Sequence, residues 1–269
     1  MNILGIYREE IFSPGKEKQD KAIMDKTLSE LRHLGCEVRA VSPDSVPEET
    51  GADLVLSMAQ SENILSLLSS WQKKGIRIIN SPQAVRNCYR KRMISLLKEN
   101  NISMPQTWVY SLEAIEEELF EVYSLGWMGS YWIKRGDFHA LQREDVVRVS
   151  SFEEMESSLA YFRENGINEI VIQEHKDGEI VKFYGVGDEY IKPFLASTAK
   201  PFELSEQVIK VILNAKDCLG LEIYGGDLIV SNDSFFIIDI NDWPSFSLCQ
   251  DEAAKQIAKY AKSILEEVR

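Results

Sequence analysis

The first 82 residues alternate short apolar runs with amphipathic stretches, and this alternation limits the fold more than any other feature of the chain. The apolar runs fall at 3–7, 38–41, 54–58 and 76–79. Between the first two runs, apolar side chains recur at the spacing of one helix face: Ile23, Met24, Leu28, Leu31 and Leu34. Strands that alternate with helices usually pair in parallel through right-handed crossovers. We therefore predict a parallel α/β domain over residues 1–82.

The rest of the chain indicates a different architecture. A turn-forming segment at 80–82 ends the first pattern, and beyond residue 105 short strands mix with helices. Turn signals at 187–188 and 231–234 predict two hairpins, whose strands pair antiparallel. The predicted fold class is α/β plus α+β. The predicted N-terminal α/β domain at 1–82 is therefore followed by α+β subdomains.

The chain carries 43 acidic and 30 basic side chains, a formal net charge of -13. An acidic surface repels phosphate backbones and anionic lipids, so we expect neither a nucleic acid nor a membrane partner. The N-terminal apolar run is short and followed by acids, unlike a signal peptide, and no run approaches the roughly 20 apolar residues of a membrane span. Four widely spaced cysteines argue against a disulfide framework. These features predict a cytoplasmic protein and leave its oligomeric state, homodimer included, open.

Three oxygen-bearing side chains near the C-terminus form the strongest candidate site. Asp239 and Asn241 alternate with apolar residues on one predicted strand, so they project to one side while Ile238 and Ile240 face the core. A short turn brings Asp227 beside Asp239. Hard oxygen ligands suit magnesium (Mg²⁺), which keeps waters and bridges substrate phosphates. The alternative is structural: Asp239 caps a strand end and Asp227 is solvated.

Lys134 closes an apolar strand at 131–134 and precedes a polar loop at 135–139 that contains a glycine. A lysine in this position can reach phosphate oxygens as a point charge. The alternative is an ordinary exposed lysine at a strand end. His139 lies in the same loop and is a candidate for contact with a substrate or nucleotide. The three histidines of the chain are scattered, which argues against a histidine metal site.

A third candidate is the extended segment that contains Gln173, Glu174 and His175. Its backbone N–H and C=O groups are available to the edge of an adenine ring, as expected where a chain passes between subdomains. A carboxylate shortly afterwards, Glu179 or else Asp177, would accept hydrogen bonds from ribose hydroxyls. Read alone, the segment is equally typical of a surface loop.

The order and spacing of these motifs resemble the ATP-grasp superfamily, especially ligases of the ribosomal-protein glutamate ligase and glutathione synthase type. The resemblance covers residues 80–246 and rests on the segments 80–82 with 96–105, 172–175, 226–227 and 238–241. The segment through Trp243-Pro244 is also similar to inositol phosphate kinases of the same superfamily. Residues 1–80 look like the α/β domain that usually precedes an ATP-grasp module. The resemblance then implies three domains: the N-terminal α/β domain at 1–82, an entry helix with a small subdomain at 83–173, and a central subdomain at 174–269.

The resemblance implies a role for each matching residue. The implied nucleotide-binding set is Arg90, Lys91, Lys134, Gln173, Glu174, His175, Glu179 and Lys182; of Arg90 and Lys91, counting along the entry helix leaves open which contacts ATP. Asp227, Asp239 and Asn241 would hold magnesium. The chain lacks the arginine with which many members stabilise the transferring phosphate. We expect Lys192, which ends a strand just before Pro193, to supply that charge as a catalytic residue, with Arg90 or Lys91 assisting from the entry helix. His139 is the other candidate catalytic residue.

The implied activity is an ATP-dependent ligase that joins a carboxylate to an amine or a thiol through an acylphosphate, with ATP and Mg²⁺ as cofactors and release of ADP and phosphate. Its substrate would be a small molecule or a peptide. Two alternatives remain at the level of sequence. One is a small-molecule kinase that stops after phosphoryl transfer, and the other is a nucleotide-binding sensor without turnover. Retention of all three metal-type ligands argues against the sensor.

Overall fold

The computed structural model describes residues 1–113, 115, 129–137, 142–231 and 234–267. Its first sheet has four parallel strands in the order β2-β1-β3-β4. They are β1 (Asn2–Ile6), β2 (Glu37–Val41), β3 (Leu54–Ser57) and β4 (Arg77–Ile79), with helices α1 (Glu17–His33) and α2 (Glu62–Lys73) between them. The two central strands β1 and β3 are almost entirely buried, as expected for a parallel sheet that is covered on both faces.

Two four-stranded antiparallel sheets follow. The second sheet has the order β5-β8-β6-β7 and the third the order β10-β9-β11-β12. The second comprises β5 (Thr107–Ser111), β6 (Tyr131–Arg135), β7 (Val146–Val149) and β8 (Glu169–Glu174), and the third comprises β9 (Glu179–Val186), β10 (Tyr190–Leu195), β11 (Ile223–Ser231) and β12 (Ser234–Asp242). The predicted fold class, a parallel sheet followed by antiparallel pairing, is confirmed.

In the described part of the chain, five further helices lie between or after these strands: α3 (Pro82–Asn87), α4 (Arg90–Glu99), α5 (Phe152–Glu164), α6 (Glu206–Leu219) and α7 (Gln250–Glu267). Short 3₁₀ helices lie at Glu10–Phe12, Pro43–Ser45 and Arg143–Asp145. Serine side chains cap α3, α5 and α6 by accepting a backbone N–H from the first turn. Within the described residues, none of these helices has the length and apolar character that crossing a membrane requires.

The largest hydrophobic cluster crosses the boundaries of the predicted domains. It joins the buried side of α1 (Ile23, Met24 and Leu28) to residues of α7 such as Ile257 and Ala261. The same cluster also contains side chains of the third sheet. The second sheet packs with α5 around a cluster whose described members all lie between residues 108 and 172, and Val171 of β8 also belongs to a cluster with residues of the third sheet. Because the first and third sheets share one core, packing does not mark the predicted boundaries at residues 82 and 173. These boundaries stay predictions.

Asn80 links the first sheet to the third. It follows β4 directly and is 1% exposed. Its Nδ2 donates to the carbonyl of Ile223 at 2.7 Å, and its Oδ1 accepts from the backbone N–H groups of Glu222 and Ile223, both at 2.9 Å. One amide side chain thus satisfies three buried or half-buried backbone groups at the start of β11. Such groups are costly to leave unpaired.

We expect Asn80→Ala to lower the free energy of unfolding by roughly 2–5 kcal/mol, because it leaves these backbone groups without partners. Urea unfolding measures the change. The matched control is Asn165→Ala, which removes an exposed amide with a single hydrogen bond to the carbonyl of Tyr161 and should change stability by less than about 0.5 kcal/mol. Equal losses in the two variants would contradict the structural role of Asn80.

Candidate functional site

A cleft of about 560 Å³ lies between the second and third sheets. This volume is within the range of small-ligand sites. Its lining comes from β6, β7 and β8 on one side and from β9, β11 and β12 on the other, and one end is closed by residues that follow strands of the first sheet. Of the sequence-predicted residues, the cleft lining contains Arg90, Lys134, Gln173, Glu174, His175, Lys182, Asp227, Asp239 and Asn241.

The pairing of β11 with β12 brings the oxygen-bearing residues together. Asp227 lies directly opposite Asp239 in the register, and Asn241 Nδ2 donates to Asp239 Oδ2 at 2.8 Å. Within the described part of the chain, no group of three or more His, Cys, Asp or Glu side chains has the arrangement of a metal site. Two carboxylates and one amide oxygen nevertheless suit Mg²⁺, which completes its coordination with waters and phosphates.

A β-bulge corrects one detail of the predicted strand. The register shifts between Asp227 and Leu228, so that Leu228 pairs with Ile237 and one extra residue lies in β12. Ile237 is 1% exposed and belongs to the core, whereas Ile238 lines the cleft. The expectation that Ile238 faces the core is therefore wrong, because strict alternation does not hold across a bulge.

Gly226 allows the close approach of these two strands. A Cβ atom built on Gly226 would overlap the carbonyl oxygen of Asp239 and lie 2.7 Å from Cζ of Phe183. A carbonyl oxygen in a paired strand cannot move without moving the backbone that positions Asp239. The glycine before Asp227 is thus part of the geometry of the carboxylate pair.

Two cations face these carboxylates across the cleft. Lys134 Nζ donates to Gln173 Oε1 at 2.7 Å, and Gln173 in turn donates to Thr107 Oγ1 at 3.0 Å. Burial, together with the nearby Arg90 guanidinium, lowers the pKa of Lys134 to about 8. Burial also lowers the pKa of Arg90, against the attraction of Asp239. Arg90 Nη1 donates to the carbonyl of Arg135 at 2.6 Å, which orients the side chain beside the second sheet.

Lys182 stands opposite Asp227 in the pairing of β9 with β11, and its Nζ donates to Asp227 Oδ1 at 2.8 Å. Burial alone lowers the pKa of Lys182, but the Asp227 carboxylate outweighs burial and raises it above the usual value. This ion pair occupies one oxygen of the candidate metal set. A divalent cation that binds Asp227 would therefore compete with the Lys182 ammonium.

The segment after β8 forms a mixed polar and apolar wall. The backbone N–H groups of Glu174 and His175 already donate to the carbonyls of Gln106 and Ser130, at 2.8 and 2.9 Å. The expectation that these two N–H groups are available to a base is therefore not met, because the second sheet uses them. Trp132 Nε1 donates to His175 Nδ1 at 3.1 Å, which places the indole in the cleft wall.

Four predicted residues do not line the cleft or are not described. Lys91 pairs with Glu169, and Lys192 Nζ lies 3.1 Å from Glu252 of α7. Glu179 begins β9 on its exposed side, and Asp177 lines the cleft in its place. His139 lies outside the described residues.

Sequence reasoning missed a buried polar network at the end of the cleft near the first sheet. Its members that line the cleft are Arg8, Ser13, Asp20, Gln60 and Asp242. Arg8 and Gln60 follow the carboxyl ends of β1 and β3, the edge where open α/β sheets commonly bind ligands. The tendency of ligands to bind at the carboxyl ends of parallel strands could have identified Arg8 and Gln60 from the sequence. The contact with Asp242, more than 180 positions from Gln60, leaves no trace in local sequence.

A second missed feature is a set of apolar side chains on both walls: Trp132 and Val146 from the second sheet, and Ile180, Ile229 and Ile238 from the third. Ile180 is 44% exposed, an unusual fraction for an isoleucine in a strand. Opposed apolar walls leave a slot that suits a flat ring. The cleft thus combines an apolar slot, a cationic pair and a carboxylate pair.

We expect Gly226→Ala to be destabilised by about 1–3 kcal/mol or more, since the added methyl group meets backbone that cannot withdraw freely. Thermal unfolding measures the change. Gly51→Ala is the matched control, because a Cβ at Gly51 meets no atom within 4 Å. If both variants unfolded at the same temperature as the wild type, β11 and β12 would not approach as closely as described.

Comparison with known proteins identifies relatives of this architecture, although no family model matches the chain. N-acetylaspartylglutamate synthase A of Mus musculus is 23% identical over 253 residues, covering 87% of this chain and 66% of that protein. The tetrahydromethanopterin:alpha-L-glutamate ligase of Methanocaldococcus jannaschii is 27% identical over 223 residues, covering 70% of this chain and 72% of that protein. The chain therefore spans about two thirds of the length of the first relative.

Solved structures share the fold over the whole chain. D-alanine--D-alanine ligase from Bacillus anthracis has a TM-score of 0.75 at 15% identity and covers 100% of both chains. The ATP-grasp ligase PsnB, complexed with a minimal precursor, Mg and ADP, has a TM-score of 0.71 at 15% identity and covers 98% of this chain and 97% of its own. The relatives found by sequence and the order of motifs along the chain both point to the ATP-grasp superfamily, whose fold this chain shares over its whole length.

Proposed function

We propose that this chain is an ATP-dependent carboxylate–amine ligase. It would transfer the γ-phosphoryl group of ATP to a substrate carboxylate and join the activated carboxyl carbon to an amine, with release of ADP and phosphate. The observation that carries the proposal is the convergence of Lys134 and Arg90 with Asp227, Asp239 and Asn241 in one cleft. Phosphoryl transfer depends mainly on positioning and charge stabilisation. The two cations would stabilise charge on the phosphates, and the three oxygen-bearing side chains would position magnesium.

The residues present fit a nucleotide and magnesium. The apolar side chains of the two walls, Trp132 and Ile229 among them, would enclose the base, and Asp177 would accept from the ribose hydroxyls. Lys134 would bind phosphate oxygens as the strand-end cation. Asp227, Asp239 and Asn241 would hold magnesium, which, when bound, neutralises charge on the phosphates. All of these side chains line the cleft.

We assign the charge that stabilises the transferring phosphoryl group to Arg90 rather than to Lys192. Arg90 is 6% exposed and lines the cleft, and Asp239 interacts with it electrostatically. Its buried guanidinium is already desolvated and oriented, so little reorganisation is needed when charge develops on the phosphate. Lys192 is held by Glu252 of α7 and does not line the cleft.

The names of the relatives support an amino acid or peptide substrate. Two curated relatives are named for glutamate products or glutamate ligation, one solved neighbour is named for D-alanine, and PsnB was solved with a precursor peptide. All four names refer to an amino acid, to a compound that contains one, or to a peptide. We therefore propose amino acids and short peptides as the class of compounds from which the substrates come.

The decisive experiment is an ATP-consumption screen over amino acids, short peptides and sugar or inositol phosphates that separates free phosphate from phosphorylated product. Free phosphate with a condensed product supports the ligase. A stable phosphorylated product would replace the ligase with a kinase. Tight ATP binding without turnover of any compound in the screen would replace both with a nucleotide-binding sensor.

Asp239→Asn should reduce kcat by at least about 100-fold, the scale expected when one electrostatic stabiliser of a transition state is removed. The variant keeps the shape of the side chain, so its thermal unfolding should match the wild type. Asp44→Asn, on the exposed surface of the first sheet's domain, is the control and should leave kcat unchanged. Wild-type magnesium-dependent turnover in Asp239→Asn would refute the metal assignment.

The pKa of Lys134, about 8 in the free protein, predicts a pH dependence of ATP binding. Phosphate binding requires the protonated ammonium, so the ATP dissociation constant should be flat below pH 8 and then rise, approaching tenfold per pH unit. Lys134→Met should weaken binding by roughly 10- to 100-fold at pH 7 and abolish this rise. Titrations from pH 6 to 10 with fluorescent ATP measure both effects, and Lys192→Met serves as the control. An unchanged profile in Lys134→Met would remove this lysine from the site.

A further inference from the structure

The end of the cleft near the first sheet presents hydrogen-bond acceptors that have no donor. Asp20, Gln60 and Asp242 are 4%, 5% and 2% exposed. Among the described residues, Asp20 Oδ1, Gln60 Oε1 and Asp242 Oδ2 are buried oxygens without a hydrogen-bond partner. All three side chains line the cleft. Buried polar atoms are normally paired, so three unpaired acceptors at one end of a cavity indicate a ligand that brings donors.

The other atoms of these side chains are held in place. Asp20 Oδ2 accepts from Ser13 Oγ at 2.7 Å, and Asp242 Oδ1 accepts from Gln60 Nε2 at 2.8 Å. The second bond also determines the orientation of the Gln60 amide, since a flipped amide would place two acceptor oxygens against each other. The three free oxygens are therefore fixed before any ligand binds.

Arg8 binds both carboxylates without neutralising them. Its guanidinium lies 3.4 Å from Asp20 Oδ2 and 3.8 Å from Asp242 Oδ2. Its remaining donors go to backbone carbonyls: those of Met58 at 3.2 Å, Asp242 at 3.3 Å and Trp243 at 2.7 Å. When both carboxylates are ionised, the single guanidinium leaves a formal excess of one negative charge in a buried place. A buried charge without compensation is costly, so a cationic group should bind here.

We propose that this end of the cleft binds a primary ammonium group of a substrate through Asp20, Gln60 and Asp242. This inference deepens the proposed ligase and rests on it. An ammonium group carries one positive charge and three N–H donors, which match the excess charge and the three unpaired oxygens. Asp242 and Asn241 both line the cleft, so the ammonium subsite and the residues that would hold magnesium open onto the same cavity.

The same contacts exclude a carboxylate from this position. The donors of Arg8 are taken by carbonyls and by Asp20, and the free oxygens would repel an anion. The cations at the other side of the cleft, Lys134 and Arg90, favour the anionic partner. The two regions therefore orient a zwitterionic substrate, with its carboxylate toward the phosphates and its ammonium toward the first sheet.

Ligand-observed saturation-transfer NMR tests the proposal in the full-length protein saturated with Mg²⁺ and the non-hydrolysable analogue AMPPNP. The probes are the proteinogenic amino acids, D-alanine and a set of glycyl dipeptides, each compared with its N-acetyl derivative. Acetylation removes the charge and two of the three N–H donors. We expect at least one free amine to bind, with its acetylated form weaker by roughly 10- to 100-fold, as for the loss of a charged hydrogen bond.

Asp20→Asn should weaken the same amine by roughly 10- to 100-fold while AMPPNP affinity stays unchanged. Asp44→Asn, exposed and outside the cleft, is the matched control and should bind both ligands as the wild type does. The AMPPNP measurement also shows that the variant is folded. Should Asp20→Asn fail to fold, the comparison of free and acetylated probes on the wild type stands without it.

Equal binding of free and acetylated probes would overturn the proposal, as would the absence of any amine-dependent binding from a wild-type protein that binds AMPPNP. Either result leaves the proposed ligase standing, since that function is tested by ATP consumption and product analysis. Conversely, amine binding in a protein that never forms ADP would support the subsite and refute the ligase.

Discussion

The pairing of β12 with β11 is the constraint on which the rest of the site depends. Its register places Asp227 opposite Asp239, and Gly226 permits the close approach that keeps them there. The same strand ends at Asp242, whose side chain and carbonyl reach Gln60 and Arg8 of the first sheet. This strand therefore carries two of the three candidate metal ligands, Asp239 and Asn241, and also joins the third sheet to the first. A shift of register by one residue would turn the side chains of Asp239, Asn241 and Asp242 to the opposite face. The carboxylate pair and the contacts of Asp242 with Gln60 and Arg8 would both be lost.

The protein is acidic overall, yet its cleft is divided by charge. Lys134 and Arg90 form a buried cationic region, although burial disfavours both charges, as their lowered pKa values indicate. The carboxylates of Asp227 and Asp239 offset part of that cost across the cleft. Lys182 neutralises Asp227 when no ligand is bound. A polyanionic ligand and a divalent cation would each find side chains of complementary charge in the cleft.

The sequence predicts the local parts of this arrangement and not the distant ones. Alternating apolar runs predict the parallel sheet, and turn residues predict both hairpins, because these features depend on neighbours in the chain. The bulge at Asp227 is not predictable from alternation, and it is the reason why Ile238 faces the cleft. The direction of Lys192 depends on α7, which supplies Glu252, and the network around Arg8 depends on residues from both ends of the chain. The roles of the cleft residues in binding and catalysis remain predictions.

The shared core of α1 and α7 has a consequence for how the chain folds during synthesis. The apolar side of α1, with Ile23, Met24 and Leu28, is covered in part by α7, which is made more than 220 residues later. Contacts of such long range are slow to form, because a long loop must close before they can stabilise anything. The first sheet therefore emerges from the ribosome with one side still uncovered. We expect that nascent surface to be the part of the chain that chaperones protect until α7 has been translated.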